Sequence, residues 1–206
     1  MSFKKYRVID LLIFTGLYLL LEFLISLAAT YWFPEQPYIV SLMLPFLLIV
    51  MMRWGPYAGI LAAISAPFYV LIYHGSGWTY LVFLFGNIGF MGLLGFLLPI
   101  GKKKVRDNIF LTFSYIVIGF LHLELFRGLG AMIFEHSGIE IIWRFIWTDM
   151  LSLVFSLVVV FIARLADGIF EDQKAYMFRK QREREAAEAK QKALKEQEEQ
   201  LGDNNL

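Results

Sequence analysis

The chain has 206 residues, 58% of them hydrophobic and 17% aromatic, with a mean hydropathy of +0.60 and a formal net charge of only +1. That composition excludes an ordinary soluble domain, and no nucleic-acid partner is expected of it. Cysteine is absent, which removes disulfides, thiolate metal sites and cysteine nucleophiles.

About 20 apolar residues in helical form cross a hydrocarbon core of about 30 Å. Six segments approach that length: Val8–Trp32, Tyr38–Met52, Pro56–His74, Trp78–Ile100, Ile109–Phe134 and Trp143–Phe170. The opening MSFKKYR resembles a signal peptide, but the apolar run behind it is far longer than the ~7 to 15 residues of such a segment, so it is read as a retained first helix. Pro34 and Pro37, RWGP at 53 to 56, HGSG at 74 to 77 and GKKK at 101 to 104 mark the turns.

Basic residues near helix ends favour the cytoplasmic side. An N-terminus on that side collects Lys4, Lys5, Arg7, Arg53, Lys102, Lys103, Lys104 and Arg106 there, whereas YWFPEQPY, YHGSG and EHSGIE on the other side carry no Lys or Arg. The expectation is an all-α membrane protein, with a six-helix transmembrane bundle over residues 1–170, both termini cytoplasmic, and a charged helical tail over 171–206. Nearly half of the charged side chains lie in that tail. Its Ala, Glu, Lys, Gln and Arg favour helix, and Glu188 and Lys192 are spaced for an i,i+4 pair. No apolar heptad supports a coiled coil. The tail is read as a solvated helix, partly disordered, whose basic first half (Arg179, Lys180, Arg182, Arg184) also suits anionic headgroups.

HLELFRG, residues 122 to 128, places charge inside an apolar segment, where each charge costs about 2.5 to 3.5 kcal/mol on insertion scales. At 1.5 Å per residue Glu22 lies about 21 Å above the cytoplasmic end of the first segment, and Glu124 about 22 Å above that of the fifth. Asp149 lies about 9 Å from the outer face. The three carboxylates thus share nearly one depth, with Arg127, Arg144, His74 and Trp78 above it and Asn87 a little below. Helical phase puts Thr15, Tyr18, Glu22 and Ser26 on one stripe, and Asp149, Ser152 and Ser156 on another. Glu124 and Arg127 form an i,i+3 pair, from which His122 is turned well away.

Two readings stand for this cluster: an ion pair that fixes helix packing, or a ligand pocket open to the outside. The candidate ligand contacts are Glu22, His74, Trp78, Asn87, Glu124, Arg127, Arg144, Trp147 and Asp149. Three carboxylates against two arginines suit an amine-bearing or cationic heterocyclic ligand. Trp78, Trp143 and Trp147 are equally the aromatic belt of a membrane protein, and His74 is equally a helix-end cap. Gly55, Gly59, Ala58, Ala62 and Ala66 give the third helix a small-residue surface, as Gly86, Gly89, Gly92 and Gly95 do the fourth. Such surfaces serve close internal packing or the docking of a separate membrane subunit.

No zinc-protease His-Glu-x-x-His, Walker A loop or Gly-x-Ser-x-Gly elbow occurs. The chain is expected to be no enzyme and to need no cofactor. LELFRG faintly resembles the Glu-Glu-x-x-x-Arg segment of CAAX-type intramembrane proteases, but Leu123 precedes Glu124 and no histidine follows His136.

RWGPYAGILAAISAPFYVLIYHGSGWTYLVFLFGNIGFMGLLGFLLP, Arg53 to Pro99, resembles the substrate-binding S components of energy-coupling-factor transporters. The likeness rests on the Gly-Pro-x-x-Gly turn of Gly55, Pro56 and Gly59, the small-residue helix after it and the repeated glycines of the next helix. WRFIWTD, Trp143 to Asp149, is similar to the start of that family's last helix, and length and crossing count agree over about residues 8 to 170. The Ala-x-x-x-Ala docking motif of the family's first helix is absent, Ser26 and Thr30 standing nearest to it. The resemblance implies a receptor that captures a vitamin or related micronutrient from the outside. It implies a separate transmembrane T component and two cytoplasmic ATPase subunits as partners. The rival expectation is a membrane scaffold similar to the rod-shape-determining protein of the cell-wall machinery, without a ligand cavity. An ion- or proton-coupled carrier is disfavoured, because titratable groups do not continue into the inner half.

Overall fold

The computed structural model describes residues 3–32, 40–72 and 77–203, which are helical almost throughout and contain no strand. The chain divides into two compact units, Met1–Glu171 and Asp172–Leu206. In the first unit the helices are α1 (Phe3–Trp32), α2 (Met43–Trp54), α3 (Ala58–Ile72), α4 (Gly77–Gly89), α5 (Leu94–Ile100), α6 (Lys102–Asp107), α7 (Ile109–Phe134), α8 (Glu140–Thr148) and α9 (Met150–Leu165). Short 3-10 turns join α2 to α3 and α4 to α5.

Four helical runs are long and apolar enough to cross a membrane: Phe3–Ala29, Met43–Ile72, Gly77–Ile100 and Ile109–Phe134. A fifth is reached if α8 and α9, bent by 48° at their junction, count as one. The sequence reading of an unbroken helix from Trp143 to Phe170 is corrected here, since the chain breaks at Asp149, which caps both pieces.

The run Met43–Ile72 is not one straight rod. The Tyr18 ring on α1 lies 5.8 Å from Phe46 on α2 and 6.4 Å from Phe68 on α3. Those two phenylalanines would stand about 33 Å apart along a straight helix. The chain therefore folds back between them, at Gly55, whose φ of +59° is open to glycine. Pro56 then begins the next turn with its preset φ and its missing donor where neither is a cost.

Every residue of α2 is buried. The helix lacks the polar face of a surface helix because α1, α3, α7 and α9 pack around it. α7 runs beside α4, and its buried positions Tyr115, Ile116, Gly119, Phe120, Leu123, Glu124 and Arg127 recur every three or four residues. Its start is fixed by Asn108, whose Oδ1 accepts from the Phe110 and Leu111 amides at 2.9 and 3.2 Å.

One end of the bundle collects the basic residues. Arg53 donates to Asp10 at 2.9 and 2.5 Å and to the Gly168 and Ile169 carbonyls, and the Trp54 indole also donates to Asp10. Arg164 bonds the Arg106 and Asp107 carbonyls, Arg106 pairs with Glu171, and Arg7 lies over the Tyr57 ring. These contacts tie the start of α1, the α2–α3 turn, α6 and the end of α9 into one clamp. At the opposite end Thr79 donates to Glu135, joining α4 to α7.

The second unit holds one helix, α10 (Gln173–Asp203), capped by Asp172 Oδ1 at the Lys174 and Ala175 amides. Arg179 and Lys180 lie over the Tyr176 ring.

Candidate functional site

Arg127 stands seven residues before the end of α7, some 10 Å from that end and about 27 Å from the helix start near the basic clamp. Its Nη1 donates to Glu124 Oε1 at 2.8 Å, one turn back, and to Asp149 Oδ2 at 2.9 Å across the bundle. Nη2 reaches Met43 Sδ at 3.8 Å, and the guanidinium lies 4.9 Å from the centre of the Phe83 ring. Glu124 is fully buried, Arg127 is 3% exposed and Asp149 6%. The space for Arg127 comes from Gly86 on α4, where a Cβ would collide with the arginine's Cγ and stand 3.0 Å from its backbone.

Asp149 sits where α8 ends and α9 begins. Its second oxygen accepts from the Ser152 hydroxyl, and Ser152 Oγ accepts the Ser41 amide at 2.9 Å. Glu22, 1% exposed, accepts the Leu42 amide at 2.7 Å through Oε2. It thereby takes up one of the N–H groups that the start of α2 leaves without a helical acceptor. A continuous polar path thus links α1, α2, α9 and α7, running from Glu22 through Leu42, Ser41, Ser152 and Asp149 to Arg127 and Glu124. Several of its atoms have bonding capacity in hand, since Glu22 Oε1, Glu124 Oε2 and Arg127 Nε are buried with no hydrogen-bond partner.

A cavity of about 40 Å³ adjoins this path, lined by Ser41, Tyr69, Phe83, Arg127, Phe145, Thr148 and Asp149. Its walls are largely aromatic. Tyr69 and Phe83 stack at 4.1 Å, and Phe145 meets Phe83 edge-on at 6.2 Å. The volume holds a few atoms, not a ring system. Among the described residues no group of three His, Asp or Glu side chains is arranged to hold a metal ion.

Of the residues singled out from sequence, Glu124, Arg127 and Asp149 come together, and Glu22 joins them through the backbone at Leu42. The seams of Glu22 with Ser26 and of Asp149 with Ser152 and Ser156 are all buried. Asn87 is buried one turn away, donating to Ser65 Oγ at 2.9 Å, with its Oδ1 unpartnered. His122 is half-buried, bonded to the Ile118 carbonyl and stacked on Phe126, away from the cluster.

Other expected contacts lie apart. Trp78 and Trp147 are 60% and 63% exposed, so neither ring can stack on a molecule in the cavity, and Arg144 is also exposed. The sequence leaves pocket and aromatic belt equally open for these tryptophans, because depth along a helix does not tell which flank meets its neighbours. His74 lies outside the described residues. Ala58, Ala62 and Ala66 are fully buried, Gly55 is buried, and Gly59 packs near Met91. These side chains serve packing within the chain and offer no open docking face.

No known protein family, curated protein or solved structure matches the chain. The site's own geometry must carry the functional reading.

Sequence reasoning missed the cavity's aromatic and hydroxyl lining. With 20 phenylalanines and 10 tyrosines in the chain, no spacing rule singles out Tyr69, Phe83 and Phe145. The i,i+4 relation of Phe145 to Asp149 is the one signal that would have added a wall residue.

Proposed function

We propose that the chain is a membrane-embedded substrate-capture subunit, similar to the S component of an energy-coupling-factor transporter. It takes a vitamin or related micronutrient from the outer side of a bacterial plasma membrane. In this reading the bundle crosses the bilayer six times with both termini cytoplasmic. The fold-back at Gly55 supports the second and third crossings, and the clamp of basic residues supports a cytoplasmic N-terminal end. Uptake would be driven by a separate transmembrane T component and two cytoplasmic ATPase subunits.

The observation that carries the reading is the buried group of Arg127, Glu124 and Asp149 beside a cavity, well away from the basic end. Ionisable side chains within a spanning segment are expensive, and they are by default candidates for a functional site. The unpartnered Nε of Arg127, a residue of the cavity wall, is a donor that a ligand would complete.

A second reading has its own observation. The cavity is small and Arg127 is bonded to both carboxylates, as in a structural ion-pair network of a membrane scaffold. Native mass spectrometry separates the two, with protein extracted in mild detergent and incubated with a vitamin mixture. A receptor retains one species in wild type and loses it in Glu124→Gln and Arg127→Ala. A scaffold retains none.

A further inference from the structure

α10 carries a step in charge along its length. Residues 173–184 hold five basic side chains, Lys174, Arg179, Lys180, Arg182 and Arg184, against Glu183 alone, whereas residues 185–203 hold three basic side chains against six acidic ones. Arg179 and Lys180 share Glu183 as an ion-pair partner at the surface, and both lie over the Tyr176 ring. Exposed pairs of that kind hold their charges only weakly. Among the described residues no carboxylate pairs with Lys174, Arg182 or Arg184. The basic part of α10 therefore keeps most of its charge for a partner outside the chain.

Side-chain placement narrows what that partner is. Lys174, Phe178 and Arg182 recur every four residues and so share one face of the helix, and all three are exposed, Phe178 by 56%. A ring set between two cations matches both layers of a membrane surface, the anionic phosphates taking the charges and the acyl boundary taking the ring. Such a surface is close at hand. Glu171, the last residue of the apolar unit, is held in the basic clamp by Arg106, and α10 begins two residues on. Clusters of about four to eight Lys and Arg just beyond a spanning helix are a signature of anionic-lipid binding. Surface charge is felt only within about 8 Å at physiological salt, and the acidic second half of α10 is repelled there.

We propose that residues 174–184 bind the anionic lipid headgroups of the leaflet at the basic clamp, with Lys174 and Arg182 on phosphates and Phe178 at the acyl boundary, and that the contact ends at Glu185. The inference rests on the bundle spanning a membrane. It is independent of the receptor reading.

The test uses the full chain in nanodiscs of phosphatidylcholine alone or mixed with phosphatidylglycerol. A polarity-sensitive thiol dye is placed at Ala175→Cys or at Ala193→Cys, both exposed in a chain with no other cysteine and, being about five turns apart, on the same face of α10. In anionic discs only, the Ala175→Cys dye shifts to the blue and is quenched by a headgroup nitroxide, while the Ala193→Cys dye does neither. Added salt reverses the change. Lys174→Gln and Arg182→Gln each lower the bound-to-free ratio roughly fivefold, and Phe178→Ser lessens the blue shift while leaving the salt dependence. An Ala175→Cys dye that responds equally in neutral discs, or in neither kind, overturns the proposal. A response that appears only on adding soluble protein also overturns it and assigns the segment a protein partner. An Ala193→Cys dye that responds as strongly overturns the boundary at Glu185. A chain that does not enter nanodiscs overturns the membrane reading and this inference with it, whereas the receptor reading is decided separately by the species retained in mass spectrometry.

Discussion

Replacing Arg127 by alanine tests whether the buried charges are bonded as the structure places them. The side chain is 3% exposed, and its Nη1 serves two carboxylates at 2.8 and 2.9 Å, one of them fully buried. Breaking a buried ion pair by removing one partner costs about 3 to 5 kcal/mol, because the remaining charge has no counter-ion and no water. For a chain of this size each kcal/mol moves the melting temperature by roughly 2 to 4 °C, so Arg127→Ala should melt about 10 °C lower in the same detergent. Glu124→Gln and Asp149→Asn added to Arg127→Met should recover most of that loss. Removing every charge together leaves none unpaired, and such replacements are often neutral. Tryptophan fluorescence during heating reads both variants. Wild-type melting in Arg127→Ala, or a triple variant no better than the single one, would refute the account of this cluster.

Further consequences follow from other contacts. Gly86→Ala sets a methyl group into the Arg127 side chain and should lower stability by about 1 to 3 kcal/mol, whereas Gly95→Ala, with nothing within 4 Å, should melt as wild type. Glu22→Gln keeps an acceptor for the Leu42 amide and should fold normally, while Glu22→Leu loses the cap and should cost about 0.5 to 2 kcal/mol in thermal melting. Asp10→Ala leaves Arg53 and the Trp54 indole without their shared acceptor and should destabilise by about 3 kcal/mol. If the proposed receptor function holds, ligand retention per folded molecule should be unchanged in this variant, because the clamp lies at the other end of the bundle.

Much of this organisation is legible in the sequence, for reasons that can be named. Turn chemistry at Gly55 and Pro56 announced the fold-back. Spacings of three, four and seven put Glu22 with Ser26, and Asp149 with Ser152 and Ser156, on inward seams, because residues so spaced share a helical face. The i,i+3 pair Glu124–Arg127 was equally local. What crosses between distant segments was not legible. Asp10 pairs with an arginine 43 positions later, and no local pattern links them. The role of Glu22 as a cap for α2 depends on a backbone amide 20 residues on. The break at Asp149 carries no proline or glycine, so a continuous apolar segment looked like one helix. Tryptophans at polar levels could face in or out, and Trp78 and Trp147 face out.

The central claim is that Asp149 and its neighbours border a pocket reached from the side opposite the basic clamp, and the absence of cysteine makes a direct test available. Thr148→Cys and Lys103→Cys are each treated with a membrane-impermeant thiol reagent on intact cells, with and without a ligand identified by native mass spectrometry under the proposed receptor function. Labelling of Thr148→Cys from outside, its protection by the bound ligand, and labelling of Lys103→Cys only after the membrane is opened are predicted. Thr148→Cys that stays unlabelled, or is labelled equally with the ligand present, would contradict it.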